Sequence, residues 1–257
     1  MKAGILYQNF WPEEKFKEML ALIAKLGYDG VQVYVTKAFS PQELSGTARK
    51  EIKHLVGKHG LVFSAVCADF GKGFANPQWA EWSLEKMTPC LPLAKDFGTD
   101  IITTHIGRIP QDVNDKSRKA MTEVMKMLAG RAASNGCRIA IETGPEDPAA
   151  LAGFLKKLDH PGLAVNYDPS NLTRRGFDAI KGVSDLTEWI VHTHAKDGLR
   201  SGEETALGEG DVDWQAYIAA LSSAEYDGFL TVEREQMKNS PEAEAKHAAE
   251  FLKGILK

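Results

Sequence analysis

The stretch Val191-His192-Thr193-His194-Ala195-Lys196-Asp197 begins as an apolar run and ends in a cluster of ionisable groups. Alternate residues of a strand share one face, so His192 and His194 are predicted to point the same way. Two imidazoles on one face of a buried strand are costly unless other groups pair with them. Carboxylates stand at the ends of three other apolar runs, as Glu142, Asp168 and Glu233. This pattern predicts that His194 and the three acids converge on one divalent metal ion.

Short apolar runs alternate with longer helical patterns along the whole chain. The eight predicted strands are residues 3–7, 30–35, 61–66, 100–105, 138–142, 163–168, 189–194 and 229–233. Regular alternation implies parallel strands joined by right-handed helical crossovers. Eight such units in 257 residues predict a single (β/α)8 TIM barrel, an α/β domain that spans residues 1–257.

Capping residues and prolines mark where helices begin and break. Residues 40–43 read Ser-Pro-Gln-Glu, with a capping serine, a proline at the first helical position and a glutamate three residues later, so a helix is predicted to begin there. Asn76-Pro77 is predicted to open the third helix, which Pro89 and Pro92 are predicted to kink or split. A short helix is predicted near residues 177–183.

The main competing fold is an open, doubly wound sheet. Such a sheet usually carries a glycine-rich phosphate loop after its first strand, whereas this chain has Gln8-Asn9-Phe10-Trp11 there. A hydrophobic content of 43% is enough for a sizeable core in a chain of this length. We find no internal repeat, low-complexity segment or linker that would divide the chain, so the single barrel is favoured.

Charge and cysteine content narrow the classes of function. The net charge is −4 and the pI is about 6.0, so nothing indicates a general polyanion binder and no nucleic-acid partner is expected. Cys67, Cys90 and Cys137 are far apart, form no zinc pair or disulfide framework, and fit a reducing compartment. Because no signal-peptide pattern or membrane-spanning run is visible, we expect a soluble cytoplasmic protein without a membrane partner. The oligomeric state stays open, and a homo-oligomer is one alternative.

The loops that follow the strands build the active site in a barrel of this kind. One face of the last five strands becomes polar toward the strand end, while the opposite face is apolar and suits a helix layer. The polar pairs are Thr103 and His105, Ala140 and Glu142, Asn166 and Asp168, His192 and His194, and Thr231 and Glu233. A single acid at a strand end is more often a helix cap or a salt-bridge partner, so the metal site is predicted from the joint pattern.

Three carboxylates and one imidazole suit Mn²⁺, Mg²⁺ or Co²⁺, and no thiolate is present to favour structural zinc, although Zn²⁺ could occupy such a site in a crystal. A metal held by Glu142, Asp168, His194 and Glu233 could bind the hydroxyl and carbonyl oxygens of a sugar and stabilise an enediolate. Glu142 and Glu233 lie on different strands and are also predicted to act as acid and base on either side of the bound carbon. His105 is either a substrate contact or a structural residue.

These strand ends resemble those of the sugar isomerase/epimerase family with the xylose isomerase-like barrel. The resemblance covers essentially the whole chain, and its most specific segments are residues 139–142, 166–171, 192–197 and 231–233. Relatives include ketose 3-epimerases, inosose dehydratase and hydroxypyruvate isomerase. The resemblance implies one divalent metal held through Glu142, Asp168, His194 and Glu233, with Glu142 and Glu233 as the acid/base pair.

The resemblance also implies substrate contacts. The substrate-binding arginine of the family lies six residues after the ligand histidine, which is the position of Arg200. Asn171 occupies a position where the epimerases usually have a substrate-binding histidine. Lys196 is predicted to contact the substrate, the alternative being a loop ion pair with Asp197. His105 is predicted to contact substrate rather than metal.

Two departures leave the identity of the sugar open. The epimerases have a second glutamate six residues after the first, and here that position is Pro148, with Glu146 nearby but out of register. Asn171 replaces the histidine, as described above. Strand two also carries Gln32 where many relatives place a glutamate. The departures at Pro148 and Asn171 affect positions that help to bind substrate, so they bear on the sugar more than on the metal.

The leading hypothesis is therefore a divalent-metal-dependent sugar isomerase or epimerase of carbohydrate metabolism, which moves a proton next to a carbonyl of a sugar or polyol ketone. A lyase that resembles inosose dehydratase is the first alternative, because it begins with the same proton abstraction. A hydrolase that resembles endonuclease IV ranks lower, since three zinc ions need about nine ligands. Only three of the seven histidines fall at predicted strand ends. A protein that binds the metal without turnover is the last alternative, against which the Glu142 and Glu233 pair argues.

Overall fold

Eight parallel strands close into a barrel in the computed structural model, which describes residues 1–256 apart from the side chain of Ala80. The barrel strands are β1 (Lys2–Leu6), β2 (Gly30–Tyr34), β3 (Val62–Cys67), β4 (Ile101–Thr104), β5 (Arg138–Glu142), β6 (Leu163–Tyr167), β7 (Ile190–Ala195) and β10 (Phe229–Val232). Each strand pairs with its sequence neighbour, and β1 closes the ring against β10. The predicted single (β/α)8 barrel is thus confirmed.

Helices follow the strands and surround the barrel. They are α1 (Phe16–Leu26), α2 (Gly46–Lys58), α3 (Pro77–Met87), α4 (Cys90–Phe97), α5 (Lys116–Ser134), α6 (Pro148–Leu158), α7 (Pro169–Thr173), α8 (Lys181–Leu186), α9 (Trp214–Ser223) and α10 (Pro241–Ile255). A short antiparallel ladder of β8 (Asp197–Gly198) and β9 (Glu204–Thr205) follows β7. Among the described residues, no helix has the length and apolar character that crossing a membrane requires.

Most of the predicted helix starts and breaks lie where the sequence analysis places them. Asn76 caps α3 by accepting from the backbone N–H of Gln78, and the predicted break appears between Met87 and Cys90. The prediction that a helix starts after Ser40 is wrong. Residues 41–43 form a turn, and α2 begins at Gly46 with Ser45 as its cap. The short helix predicted at residues 177–183 lies instead at residues 181–186, and the single-turn α7 was not predicted.

The two faces of the strands have the predicted division of character. Apolar residues of one face, such as Ile102, Ile139 and Val165, are fully buried in the hydrophobic core. The other face carries polar side chains that bond to one another within the barrel. His192, for example, lies 2.8 Å from Asn166 and 2.9 Å from Thr231 through its two ring nitrogens. The interior is therefore a hydrogen-bonded polar core that becomes acidic at the carboxyl end of the strands.

Candidate functional site

Four side chains meet at the carboxyl end of the barrel. Glu142, Asp168, His194 and Glu233 each offer one ligand atom, and these atoms all lie within 4.8 Å of one another. All four residues are at most 5% exposed. The Nδ1 atom of His194 lies 3.3 Å from Glu233 Oε2, 3.5 Å from Glu142 Oε2 and 3.9 Å from Asp168 Oδ2. The sequence prediction named these same four residues, and we call them the acidic cluster.

Local structure fixes each member of the acidic cluster. Glu142 is the last residue of β5 and His194 lies inside β7. Asp168 follows β6 directly and caps α7, because its Oδ1 accepts from the backbone N–H of Asn171 at 2.9 Å. Glu233 follows β10, and its N–H donates to Ala195 of the neighbouring strand at 3.2 Å. Backbone pairing in the parallel sheet therefore holds all four groups at one end of the barrel.

The acidic cluster fits a divalent cation. The second carboxylate oxygen of Asp168, Oδ2, is buried and has no hydrogen-bond partner among the described residues, which is costly for a polar atom. Burial raises the pKa of Asp168 to about 7; Lys196 opposes this shift, while Glu142 and Glu233 add to it. Three carboxylates in such proximity repel one another unless a positive charge lies between them. Hard oxygen ligands with one imidazole are the donor set that Mn²⁺, Mg²⁺ or Co²⁺ accepts.

Gln32 of β2 fixes the ring of His194. Its amide nitrogen donates to Thr103 Oγ1 at 2.7 Å, so its Oε1 faces His194 Nε2 at 3.0 Å. An Nε2–H tautomer donates to that oxygen and leaves the lone pair of Nδ1 directed at the carboxylates. Burial disfavours charge on His194, but Glu233 and Glu142 raise its pKa to about 10, so the metal-free ring holds a proton that a cation would displace.

His105 connects the acidic cluster with solvent. Its Nδ1 lies 2.7 Å from Asp69 Oδ2, and its Nε2 lies 3.2 Å from Glu142 Oε1. The imidazole side chain is 46% exposed, whereas that of Glu142 is 4% exposed. Attraction from Glu142 is the largest effect on His105 and raises its pKa to about 11, against the opposing effect of burial. The two carboxylates that hold the ring at the mouth of the barrel thus favour its protonated form.

Lys196 is buried behind Glu233. Its Nζ lies 2.9 Å from Glu233 Oε2, 3.1 Å from Glu235 Oε2 and 3.8 Å from Glu204 Oε2. The ion pair with Asp197 that the sequence left open does not form. The carboxylate of Asp197 accepts instead from the backbone of the loop that follows and from the indole N–H of Trp214 at 2.8 Å. Lys196 therefore neutralises the acidic cluster from the protein side.

The other residues with predicted substrate roles lie at different distances from the acidic cluster. Asn171 donates to Glu142 Oε1 at 2.9 Å. Arg200 is exposed in the β8–β9 turn, where its backbone N–H donates to Asp211 at 2.7 Å. No hydrogen bond joins the Arg200 guanidinium to the cluster in residues 1–256. Glu146, the out-of-register substitute for a second glutamate, accepts from the N–H of Ile109 at 2.7 Å.

Two contributors to the site were missing from the sequence-based interpretation. Gln32 was recognised only as a departure from relatives, and Asp69 was not considered. Asp69 follows the apolar run Val66-Cys67-Ala68, which is the same signal that identified the other acids. An open cavity of about 500 Å³ lies next to this residue, lined by Gln8, Trp11, Pro12, Glu13, Glu14, Tyr34, Thr36, Lys37 and Asp69. We call it the mouth cavity.

Comparison with known proteins matches this architecture. Residues 20–255 match the model of the family described as xylose isomerase-like TIM barrel. The 3-dehydroshikimate dehydratase of Bacillus anthracis is 25% identical over 196 residues, which cover 70% of this chain and 66% of that protein. The L-ribulose 3-epimerase of Methylomonas sp. (strain DH-1) is 22% identical over 245 residues, which cover 90% of this chain and 82% of that protein. The solved structure of a xylose isomerase domain protein from Planctomyces limnophilus superposes with a TM-score of 0.81 at 24% identity. The match covers 92% of this chain and 90% of that one, and it shows a shared fold.

Proposed function

Given that this chain belongs to the xylose isomerase-like TIM barrel family, we propose that it is a divalent-metal-dependent isomerase or epimerase of a sugar or polyol ketone. The observation that carries the proposal is the convergence of Glu142 and Glu233 on the two sides of His194, within 3.5 Å of its Nδ1. Their strands, β5 and β10, are separated by β6 and β7 in the ring. The two carboxylates therefore approach a bound carbon from different directions.

Glu142, Asp168, His194 and Glu233 would hold the metal ion. When bound, the cation would polarise the carbonyl of the substrate and balance the negative charge that develops on its oxygens. Every other part of the reaction falls to side chains of the chain itself. Asn171 keeps Glu142 in place through its 2.9 Å hydrogen bond, and Lys196 does the same for Glu233.

Proton movement is assigned to the two glutamates. One takes a proton from the carbon next to the carbonyl, which leaves an enediolate, and the other returns a proton from the opposite face, so that one carbon is inverted. If a single glutamate performed both steps on adjacent carbons, the product would be the aldose–ketose isomer. Nearby cations favour the ionised form of both groups in the metal-free protein: although burial opposes it, His194 and Lys196 lower the pKa of Glu233 to about 2, and His105 and His194 lower that of Glu142. The glutamate that returns a proton must therefore be protonated first, and for Glu142 the donor is His105, whose Nε2 lies 3.2 Å away.

Exchange of carbon-bound hydrogen with solvent tests this function. The Mg²⁺-loaded protein is incubated in D₂O with a panel of ketoses, and NMR follows deuterium at the carbons beside the carbonyl. We expect deuterium uptake in at least one ketose, together with a new epimer or aldose signal. Protein treated with a chelator serves as the control and should show no uptake. Absence of uptake across the panel with metal bound would refute the proposal.

A dehydratase is the second candidate function, and His105 is the observation that favours it. A lyase that removes water needs an acid for the leaving hydroxyl in addition to a base for the carbon. The imidazole of His105 is half-exposed at the mouth and held between Asp69 and Glu142, where it can donate a proton. Appearance of ultraviolet absorption from an unsaturated ketone would support this activity. His105→Asn should then reduce water loss more strongly than deuterium uptake.

A further inference from the structure

No residue of the acidic cluster lines the mouth cavity. It is formed by residues that follow three strands: Gln8 and Trp11 after β1, Tyr34 and Thr36 at the end of β2, and Asp69 after β3. The cluster residues come from β5, β6, β7 and β10. The cavity therefore offers contacts that a ligand does not obtain from the cluster residues themselves.

His105 connects the wall of the mouth cavity with the acidic cluster. Asp69 lines the cavity and contacts His105 at 2.7 Å, and His105 contacts Glu142 at 3.2 Å. Tyr34 also lines the cavity, and its phenol lies in the electric field of the cluster carboxylates. Burial is the main cause of the raised pKa of Tyr34, and Cys67, Glu233 and Glu142 raise it further. A ligand that extends from the cluster past His105 would therefore enter the cavity.

The wall of the mouth cavity is already rigid. Both ends of the Gln8 amide bond to the backbone of Tyr34, each at 3.0 Å. The same amide nitrogen donates to Glu13 Oε1 at 3.2 Å, and the other oxygen of Glu13 accepts from Ala38 N–H at 3.1 Å. Preformed walls of this kind are typical of small-molecule sites. The phenolic oxygen of Tyr34 has no hydrogen-bond partner among the described residues, so it is free to meet a ligand.

The size of the mouth cavity exceeds the needs of one hexose. A hexose has twelve non-hydrogen atoms. If each atom took as much space as a molecule of liquid water, ~30 Å³, the hexose would fill about 360 Å³. The cavity measures about 500 Å³ and does not include the space around the acidic cluster. A free monosaccharide placed at the cluster would thus leave most of this cavity to water.

The lining chemistry indicates a neutral, hydroxylated group. Glu13, Glu14 and Asp69 are acceptors for hydroxyl hydrogens, and their charges disfavour a phosphate or carboxylate. Lys37 is the lining cation, and it is exposed. The ring of Tyr34 offers an aromatic surface with a polar tip, which suits an amphipathic ring. A second sugar ring has this combination of hydroxyl groups and apolar faces.

We propose that the mouth cavity is a subsite for a second sugar ring, so that the substrate class is a neutral ketose carrying a glycosyl group. The ketose unit reacts at the acidic cluster, and the glycosyl unit lies against Tyr34 and Asp69. This inference rests on the proposed function, because it assumes that a ketose binds at the cluster.

Binding measurements with matched ketoses test the subsite. Isothermal titration of the Mg²⁺-loaded protein compares D-fructose, D-fructose 6-phosphate and three glucosyl-fructoses with a free keto group, namely turanose, maltulose and isomaltulose. We expect at least one disaccharide to bind about 10-fold more tightly than D-fructose, equivalent to about 1.4 kcal/mol. Equal affinities, tightest binding of the phosphate, or no binding of any disaccharide would overturn the subsite. Binding does not require turnover, so failure of the proposed function would appear separately, as absent deuterium uptake.

A filled cavity provides the second arm of the test. Thr36→Arg places a long side chain in the mouth cavity and should abolish the affinity difference between the best disaccharide and D-fructose. Ser222→Arg makes the same kind of change on the exposed face of α9 and should keep that difference. Thermal melting of both variants establishes that they are folded. If Thr36→Arg keeps the full preference for the disaccharide, the second ring binds elsewhere and the proposal fails.

Discussion

Gln32 and His194 meet inside the barrel although 162 positions separate them in the sequence, and Gln32 Oε1 lies 3.0 Å from His194 Nε2. Neither residue is more than 1% exposed. Because Thr103 holds the amide nitrogen of Gln32, the amide oxygen is directed at the imidazole. Groups of this kind set the tautomer of a ligating histidine and the direction of its lone pair. Gln32 therefore prepares Nδ1 of His194 for the acidic cluster.

Replacing Gln32 with leucine should weaken metal binding. The substitution removes the acceptor for His194 Nε2–H, so the ring loses its fixed tautomer, and affinity for Mn²⁺ should fall about 10- to 100-fold. Isothermal titration with Mn²⁺ measures the change. Gln215→Leu, on the exposed face of α9, is the matched control and should bind the metal like the parent protein. Unchanged affinity in Gln32→Leu would show that His194 is oriented by other contacts.

Replacing Lys196 with methionine should destabilise the metal-free fold. The change leaves Glu233 buried without the ammonium group that now lies 2.9 Å away, and loss of one partner of a buried ion pair costs about 3–5 kcal/mol. Urea denaturation measures the free energy of unfolding. Lys181→Met breaks the exposed pair with Asp185 and should change it little. A small effect of Lys196→Met would mean that Glu233 is neutral or solvated in the folded protein.

Replacing Asp168 with asparagine should stabilise the metal-free protein at pH 8. The folded pKa of Asp168, about 7, lies above the unfolded value of about 4, so the wild type loses stability as pH rises from 4 through 7. The asparagine side chain carries no charge, so the Tm of the variant in EDTA should be about 5 °C higher than that of the wild type. For a chain of this size, that shift corresponds to a gain on the order of 2 kcal/mol in the free energy of unfolding. The gain should shrink at pH 5, where wild-type Asp168 is protonated.

A control aspartate separates this effect from helix capping. Asp147 is also an N-cap, accepting from Ala149 N–H at 2.9 Å, but it is exposed and lies outside the acidic cluster. Asp147→Asn should therefore leave the Tm nearly unchanged at both pH values. Saturating Mn²⁺ should raise the Tm of the wild type but not of Asp168→Asn. If Asp168→Asn is less stable than the wild type in EDTA at pH 8, the carboxylate is not strained by its neighbours.

Replacing Glu142 or Glu233 with glutamine should each abolish turnover. Glutamine keeps one carbonyl oxygen as a ligand but removes the group that accepts a proton. Solvent deuterium should still enter the substrate in the variant that retains the first proton transfer, so NMR separates the two roles. Metal content, measured alongside, distinguishes a lost base from a lost ion. Full activity of either variant on a verified substrate would remove that glutamate from the mechanism.

The sequence predicts the barrel and the acidic cluster because both follow from periodicity. Strand side chains alternate with period two, which places His192 and His194 on one face, and their ring centroids lie 5.6 Å apart in the barrel. Carboxyl ends of parallel strands meet at one edge, so three acids and one histidine at four such ends are brought together. Neither inference needs knowledge of which side chains touch.

Helix starts depend on contacts that a local motif does not contain. Ser40-Pro41 and Ser45-Gly46 both look like helix starts, yet only Ser45 caps a helix, accepting from Ala48 N–H at 3.2 Å. The guanidinium of Arg49 donates to the carbonyls of Pro41 and Leu44, and it thereby stabilises the turn that precedes α2. Hydrogen bonds from a side chain several residues away therefore help to determine where α2 begins.

The partners of buried charged side chains could not be predicted from their neighbours in the sequence either. Lys196 and Asp197 are neighbours with opposite charge, but Lys196, directly after β7, pairs with Glu233, directly after β10, and Asp197 accepts from Trp214 and the loop backbone. The contact between Gln32 of β2 and His194 of β7 joins strands that are not neighbours in the ring. Such pairs depend on strand register and ring closure, which one sequence does not specify.

Anomalous scattering from a crystal soaked in Mn²⁺ tests the central claim most directly, since it locates the ion without reference to activity. We predict one strong peak, about 2.0–2.4 Å from oxygens of Glu142, Asp168 and Glu233 and from Nδ1 of His194. The Nε2 atom of His194 should remain bonded to Gln32. A map without a peak at the acidic cluster, or with the ion bound beyond reach of Glu142 and Glu233, would contradict the account.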